Sequence, residues 1–163
     1  MDQEQIVDAV RDWMDGDDWR YEYDAERHVI KTGITLDCKL RSARMFIPIR
    51  SDGSYIVNIV APIKGDTKDI GELIKYITMA NYGLANGNFE VDVLDGEIRY
   101  KTYVNCKGIE SLSTEIIKDS IYAGWWMVER YGNGLAALAM GFSDAETEIK
   151  KAEASDEESG SGE

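Results

Sequence analysis

The sequence predicts an α+β fold in which helices pack on one side of an antiparallel sheet of about five to six strands. Apolar residues recur with helical spacing in three separate segments and alternate with period two in six others. Two pairs of alternating segments are joined by Asp-Gly, which favours hairpins between consecutive strands. The predicted order is α-β-β-β-β-α-β-β-α, and hairpins separated by helices are typical of α+β folds.

The first helix is predicted over residues 3–14, because Asp2 and Gln5 have the spacing of a capping box and Gly16 can end the helix. From Trp19 onward the apolar period changes to two. This pattern predicts four strands, at about 19–24, 28–35, 43–50 and 54–61.

The third and fourth strands flank Asp52-Gly53 and are expected to pair antiparallel. Pro48 has no N–H to donate, which predicts that its strand lies at a sheet edge or carries a bulge. Unless the alternate register holds, the inward side chains are Met45, Ile47, Ile49, Tyr55, Val57 and Ile59.

The second helix is expected to begin after a cap at Thr67 or Asp69 and to end near Tyr82. Asp95-Gly96 then forms the predicted two-residue loop of the second hairpin.

The third helix is expected to begin at Ser111 or Ser113 and to end at about Arg130, before Gly132 and Gly134. These boundaries assign residues 1–142 to the folded domain. Residues 143–163 are assigned to an acidic tail, with a frayed helix to about Glu153 and disorder beyond it.

The charge is concentrated at the two ends of the chain. The 163 residues hold 18 Lys and Arg against 31 Asp and Glu, a net charge of −13. Residues 25–143 hold equal numbers of acids and bases, so the excess lies in 1–24 and 144–163. A clustered basic stripe is absent from the sequence, which disfavours nucleic-acid binding. The acidic N-terminus and the lack of a long apolar run predict a soluble, cytoplasmic protein outside the membrane.

No residue pattern indicates catalysis, a metal site or a cofactor. His28 is the single histidine, and no Ser or Cys has the context of an activated nucleophile. Asp15, Asp17 and Asp18 cluster but lack the spacing of a calcium loop. The chain is therefore expected not to be an enzyme. An enzymatic or small-molecule-binding domain, with a pocket between sheet and helices that includes Arg99 and Tyr100, is the alternative.

Four side chains are candidates for a partner or dimer interface. Tyr122 and Trp126 fall on the charged face of the third helix, where exposed aromatics mark interaction sites. The alternative is that residues 135–142 fold back over both rings. Tyr76 and Met79 are predicted on the outer side of the second helix, a composition that suits self-association.

Asn81 lies on the apolar stripe of the second helix, where an unpaired amide would cost about 1–3 kcal/mol. Its side chain is therefore expected to bond backbone groups of the following turn, which is a structural role.

A set of residues from the second helix into the second hairpin resembles the signature of the YbjN family. The resemblance covers about residues 3–142, and the matching positions are Asn81, Tyr82, Gly87, Phe89, Asp95, Gly96 and Tyr100. Membership would imply a fold similar to type III secretion chaperones, a homodimer, and the family's description as a candidate regulator of bacterial sensory transduction. The resemblance implies no catalytic residues.

The leading hypothesis is a non-enzymatic protein-binding module, chaperone-like or regulatory, that acts as a homodimer on a protein client. A third hypothesis is regulation through the acidic tail, residues 144–163, by mimicry of nucleic acid or by contact with a basic partner.

Overall fold

The computed structural model describes residues 1–154, which form four helices and six strands. The predicted order of nine elements is present, and a tenth element follows. The elements are α1 (Gln3–Gly16), β1 (Glu22–Asp24), β2 (Val29–Thr35), β3 (Ser42–Arg50), β4 (Ser54–Lys64), α2 (Gly71–Tyr82), β5 (Asn88–Val91), β6 (Glu97–Asn105), α3 (Thr114–Ala139) and α4 (Ala145–Glu153).

The six strands form one antiparallel sheet in the order β1-β2-β3-β4-β6-β5, with the helices on one side. This confirms the predicted fold class. Arg50 pairs with Ser54 across the first hairpin, and Gly53 adopts a φ of 79° in its loop. The predicted inward side chains of β3 and β4 are all buried under the helices.

Pro48 does not mark a sheet edge, because β3 lies between β2 and β4. That part of the prediction is wrong. Pro48 is opposite Val29 of β2, and Ile49 N–H donates to the carbonyl of His28. The paired residues of β3 and β4 skip positions 47 and 48, so the missing N–H falls where the ladder is already interrupted.

The loop of the second hairpin is longer than predicted and covers residues 92–96. The carboxylates of Asp92 and Asp95 accept hydrogen bonds from Leu94 N and Glu97 N, which stabilise this wider turn. Gly96 has a φ of 78°, and a Cβ there would lie 2.2 Å from the carbonyl oxygen of Gly65. The hairpin end is therefore held against the end of β4.

The helix starts agree with the predictions except at α2. α1 has the predicted capping box of Asp2 and Gln5, and Ser113 caps α3. α2 begins after Ile70 without a side-chain cap, so the prediction of Thr67 or Asp69 as its cap is wrong.

α3 continues to Ala139 instead of ending near Arg130. Gly132 and Gly134 do not end the helix; they allow close contact with neighbouring side chains. A Cβ at Gly132 would lie 2.5 Å from Cys38 Sγ. A Cβ at Gly134 would lie 2.3 Å from the hydroxyl oxygen of Tyr76. Although α3 is long, no helix within residues 1–154 has the length and apolarity needed to cross a bilayer.

α4 packs against α2 and α3 instead of fraying from the domain. Its side chains at Ala145, Glu148 and Ile149 are buried, and Ala145 N donates to the carboxylate of Glu72 at 2.7 Å. The helix predicted to reach about Glu153 is therefore present, but it is anchored to the domain and not frayed. The remainder of the predicted tail, from residue 155, lies outside the described residues.

Candidate functional site: an aromatic cluster between α1 and α3

The end of α1 and the middle of α3 bring together five aromatic side chains. These residues, called the aromatic cluster below, are Trp13, Trp19, Tyr122, Trp125 and Trp126. They include all four tryptophans of the chain. Tyr122 and Trp126 are predicted from the sequence, whereas Trp13, Trp19 and Trp125 are not, because they follow the apolar pattern of α1, an expected strand and the partly buried side of α3.

The rings contact one another through edge-on and stacked arrangements. Trp19 lies 5.8 Å from Trp125 and 6.4 Å from Tyr122, measured between ring centroids. Tyr122 stacks on Trp125 at 5.6 Å with an interplanar angle of 11°. Trp126 lies 5.9 Å from Tyr122. Such pairs add about 0.5–1.5 kcal/mol each beyond area burial, so the cluster holds its own geometry.

Asp17 connects the α1 end of the cluster to α3. Its carboxylate accepts hydrogen bonds from Trp19 Nε1 at 3.0 Å and from the Tyr122 hydroxyl at 3.3 Å. Partial burial, followed by the nearby Asp17 carboxylate, raises the pKa of Tyr122. The hydroxyl therefore remains protonated at neutral pH and keeps donating.

The cluster is covered on one side and open on the other. Trp13, Trp19, Tyr122 and Trp125 are half-buried, whereas Trp126 is 60% exposed. The predicted alternative, in which residues 135–142 fold over Tyr122 and Trp126, is wrong because α3 continues as one helix to Ala139 and leaves Trp126 exposed. Trp13 and Trp19 lie against Tyr122 instead, and Trp126 stays open to solvent.

Tyr76 is not on the outer side of α2, which corrects its predicted placement. Its side chain is fully buried, and its hydroxyl donates to the carbonyl of Tyr131 at 3.0 Å. Burial raises its pKa. α4 lies against α2 and turns this side of the helix into an interior. Met79 is half-buried against the same core.

Asn81 performs the structural role predicted for it, on the strand that follows the turn. Its Oδ1 accepts from Phe89 N at 2.8 Å, and its Nδ2 donates to Phe89 O at 2.9 Å. Gly87 adopts a φ of 77°, and a Cβ there would lie 2.6 Å from the ring of Tyr100. Phe89 and Tyr100 then meet at a centroid distance of 4.9 Å. Through its two hydrogen bonds to Phe89, Asn81 thus holds α2 against the edge strand β5.

The structure does not bring Arg99 and Tyr100 into one pocket. They are neighbours on β6 and face opposite sides of the sheet. Arg99 pairs with Glu90 at 2.7 Å, whereas Tyr100 is buried and donates to the carbonyl of Asn86. Burial raises the pKa of Tyr100 to about 12. Within residues 1–154, no group of three or more acidic, His or Cys side chains could hold a metal ion.

No protein-family model matches the chain, and no curated protein matches it. Solved structures do match its fold. YbjN from E. coli, described as a candidate transcription regulator, aligns with a TM-score of 0.59 at 12% identity. The alignment covers 82% of this chain and 92% of that chain.

Two complexes contain chains of the same fold. A chain of the ExsC–ExsE complex aligns with a TM-score of 0.55 at 12% identity, covering 83% of this chain and 96% of that chain. A chain of the HopA1–SchA chaperone–effector complex aligns with a TM-score of 0.50 at 10% identity, covering 78% and 94%. The expected likeness to the YbjN and secretion-chaperone fold is confirmed, and at these identities it concerns the fold.

Proposed function

We propose that the chain is a non-enzymatic protein-binding module, chaperone-like or regulatory, that acts as a cytoplasmic homodimer and binds a protein client at the aromatic cluster. The observation that carries this proposal is the 60% exposure of Trp126 on a set of rings that are already packed together. Tryptophan and tyrosine are enriched among the residues that dominate binding energy at protein interfaces.

The geometry of the cluster favours binding. Tyr122 is held by stacking on Trp125 and by its hydrogen bond to Asp17. Its side chain is therefore already ordered before a partner binds. Ordering a side chain at an interface costs about 0.5–1.5 kcal/mol, and a preorganised surface avoids much of that cost.

The comparisons support a protein as the partner. Two of the similar structures are complexes of one protein with another, and one of these is a chaperone–effector complex. The fold therefore suits proteins that hold a second protein, and the proposal extends that role to this chain.

Affinity purification from the native host tests the client-binding surface. The bait carrying Trp126→Glu is expected to lose a client that the unaltered bait retains. Phe142→Glu is the matched control, because Phe142 is 80% exposed but lies outside the cluster. Equal recovery of the client by all three baits would show that the cluster is not its binding site.

Light scattering coupled to size exclusion tests the homodimer. We expect the mass of two chains of 18.3 kDa at micromolar concentration. A single-chain mass under those conditions would remove the dimer from the proposal while leaving client binding to be judged by the purification.

A further inference from the structure

The C-terminal end of α1 carries an unusual concentration of negative charge beside the aromatic cluster. Asp15 lies in the last turn, Asp17 is the C-cap and Asp18 follows, while the last turn contains no base. The C-terminus of a helix already has a partial negative charge, so each acid there is disfavoured by about 0.3–1 kcal/mol.

Two of these acids accept hydrogen bonds from nearby side chains. Asp15 accepts from the Tyr21 hydroxyl at 2.8 Å, and Asp17 accepts from Trp19 and Tyr122. Asp18 forms no hydrogen bond or ion pair through its side chain within residues 1–154. Asp12, one turn earlier, forms none there either. Both are exposed charges without a local partner, on the helix end whose Asp17 contacts the cluster.

α3 adds a further acid on the side of the exposed ring. Asp119 precedes Tyr122 by three positions and Trp126 by seven, which places it on the same helical face. Lys118 is the adjacent base. Arg130 is directed elsewhere, since its Nε donates to the carbonyl of Ala152 at 3.2 Å.

The chain uses cation–π contacts, but on other rings. Arginine side chains lie 5.0 Å from the ring centroid of Tyr23, 5.6 Å from that of Phe46 and 5.4 Å from that of Tyr131. Within residues 1–154 these contacts all lie outside the cluster. The face of a tryptophan is the best aromatic partner for a cation, and the exposed Trp126 contacts Tyr122, whose hydroxyl donates to the Asp17 carboxylate.

We propose that the client docks on the cluster through a cationic, amphipathic segment. An Arg or Lys side chain of that segment lies over the ring of Trp126, within the field of Asp12, Asp18 and Asp119, and its apolar residues pack beside Tyr122. This inference rests on the proposed function and adds the chemistry of the partner to it.

A peptide of about twelve alternating Arg and Leu residues, labelled for fluorescence anisotropy, is the probe. We expect binding to the full chain that weakens roughly tenfold or more between about 50 mM and 500 mM NaCl, because screening acts strongly on exposed charges. A peptide with citrulline in place of Arg keeps the shape and loses the charge, and it is expected to bind at least tenfold more weakly. Equal binding of the two peptides would overturn the inference.

Two sets of variants separate a local effect from attraction to an acidic protein as a whole. Asp12→Asn, Asp18→Asn and Asp119→Asn combined are expected to weaken the Arg peptide roughly tenfold, and Trp126→Ala alone to weaken it similarly. Asn suits position 18, where φ is 56°. Glu26→Gln, Asp69→Asn and Glu110→Gln combined remove the same charge at exposed positions elsewhere. An equal loss in this control set would show bulk attraction and would contradict the inference.

The native client distinguishes failure of this inference from failure of the proposed function. If the client depends on Trp126 but is unaffected by the three Asp→Asn substitutions and by salt, the cluster binds a partner that is not cationic. If the client does not depend on Trp126, the proposed surface itself is wrong. Melting curves of every variant confirm that it is folded before binding is compared.

Discussion

The hydroxyl of Tyr76 occupies the space that a side chain at Gly134 would need. A Cβ at Gly134 would lie 2.3 Å from that oxygen, which is buried and donates to the carbonyl of Tyr131 at 3.0 Å. Gly134→Ala is therefore expected to destabilise the protein by about 1–3 kcal/mol through overpacking, although alanine favours a helix over glycine by about 1 kcal/mol. Urea denaturation measures the change.

Gly71→Ala is the matched control for this substitution. Gly71 also lies in a helix, but a Cβ there would meet nothing within 4 Å. We expect it to leave stability unchanged or to increase it by up to about 1 kcal/mol. If Gly134→Ala behaved in the same way as Gly71→Ala, Tyr76 would be free to move away from α3.

Asn81→Ala is expected to destabilise the protein by about 1–3 kcal/mol, because Phe89 N–H loses its side-chain acceptor and Phe89 C=O keeps only the longer bond from Asn88 Nδ2 at 3.3 Å. Asn81→Asp keeps the acceptor for the N–H and loses the donor to the carbonyl, so an intermediate loss is expected. The neighbouring Tyr82 is 97% exposed, and Tyr82→Ala serves as the control. Thermal melts that placed all three variants at the stability of the unaltered chain would refute the structural role of Asn81.

Local sequence patterns predict features that depend on neighbouring residues and miss those that depend on tertiary contacts. The period-two alternation predicted the inward residues of β3 and β4 because a strand's side chains follow from its own backbone. The route of α3 past Gly132 and Gly134 was mispredicted because the closeness of Cys38 and Tyr76, which gives these glycines their role, is a tertiary contact. Glycine in a sequence does not distinguish a helix end from a close approach.

Only part of the aromatic cluster can be predicted from local sequence patterns. Tyr122 and Trp126 stood out because they interrupt a charged helical face. Trp13 follows the apolar stripe of α1, and Trp19 sits at the start of an expected strand, so neither pattern connected them to α3. The hydrogen bonds of Asp17 to Trp19 and Tyr122, the latter 105 residues away, belong to the folded state alone.

Glu148 is expected to make the docking of α4 sensitive to acid. Its buried carboxylate accepts from Lys151 and Ser143, at 2.6 Å and 2.7 Å, and these bonds outweigh the effect of burial and lower its pKa. A carboxylate whose pKa is lower in the folded state than in the unfolded state adds stability above the unfolded value, here 4.5. That contribution is lost as pH falls through the folded pKa.

Glu148→Gln measures this contribution. The difference in unfolding free energy between the unaltered chain and the variant is expected to be largest near neutral pH and to shrink as pH falls below 4.5. Hydrogen exchange in α4 should show the same dependence. Glu110→Gln, at an exposed position without an ion pair in the described residues, is the control. A difference for Glu148→Gln that stayed constant with pH would mean that its charge does not hold α4.

Substitutions of Trp19 and Trp126 are expected to change the free energy of unfolding by different amounts. Trp19 is half-buried and contacts Trp13, Tyr122 and Trp125, so Trp19→Ala should cost about 2–3 kcal/mol, less than a fully buried tryptophan. Trp126 contacts Tyr122 and is mostly exposed, so Trp126→Ala should cost about 0.5 kcal/mol, the lower end of the range for such a ring pair. Chemical denaturation of the two variants gives both values. A loss for Trp126→Ala as large as that for Trp19→Ala would place Trp126 among the residues that hold the fold. A near-neutral result leaves a large, exposed aromatic ring that folding does not require, and that is the property expected of a residue kept for contact with a partner.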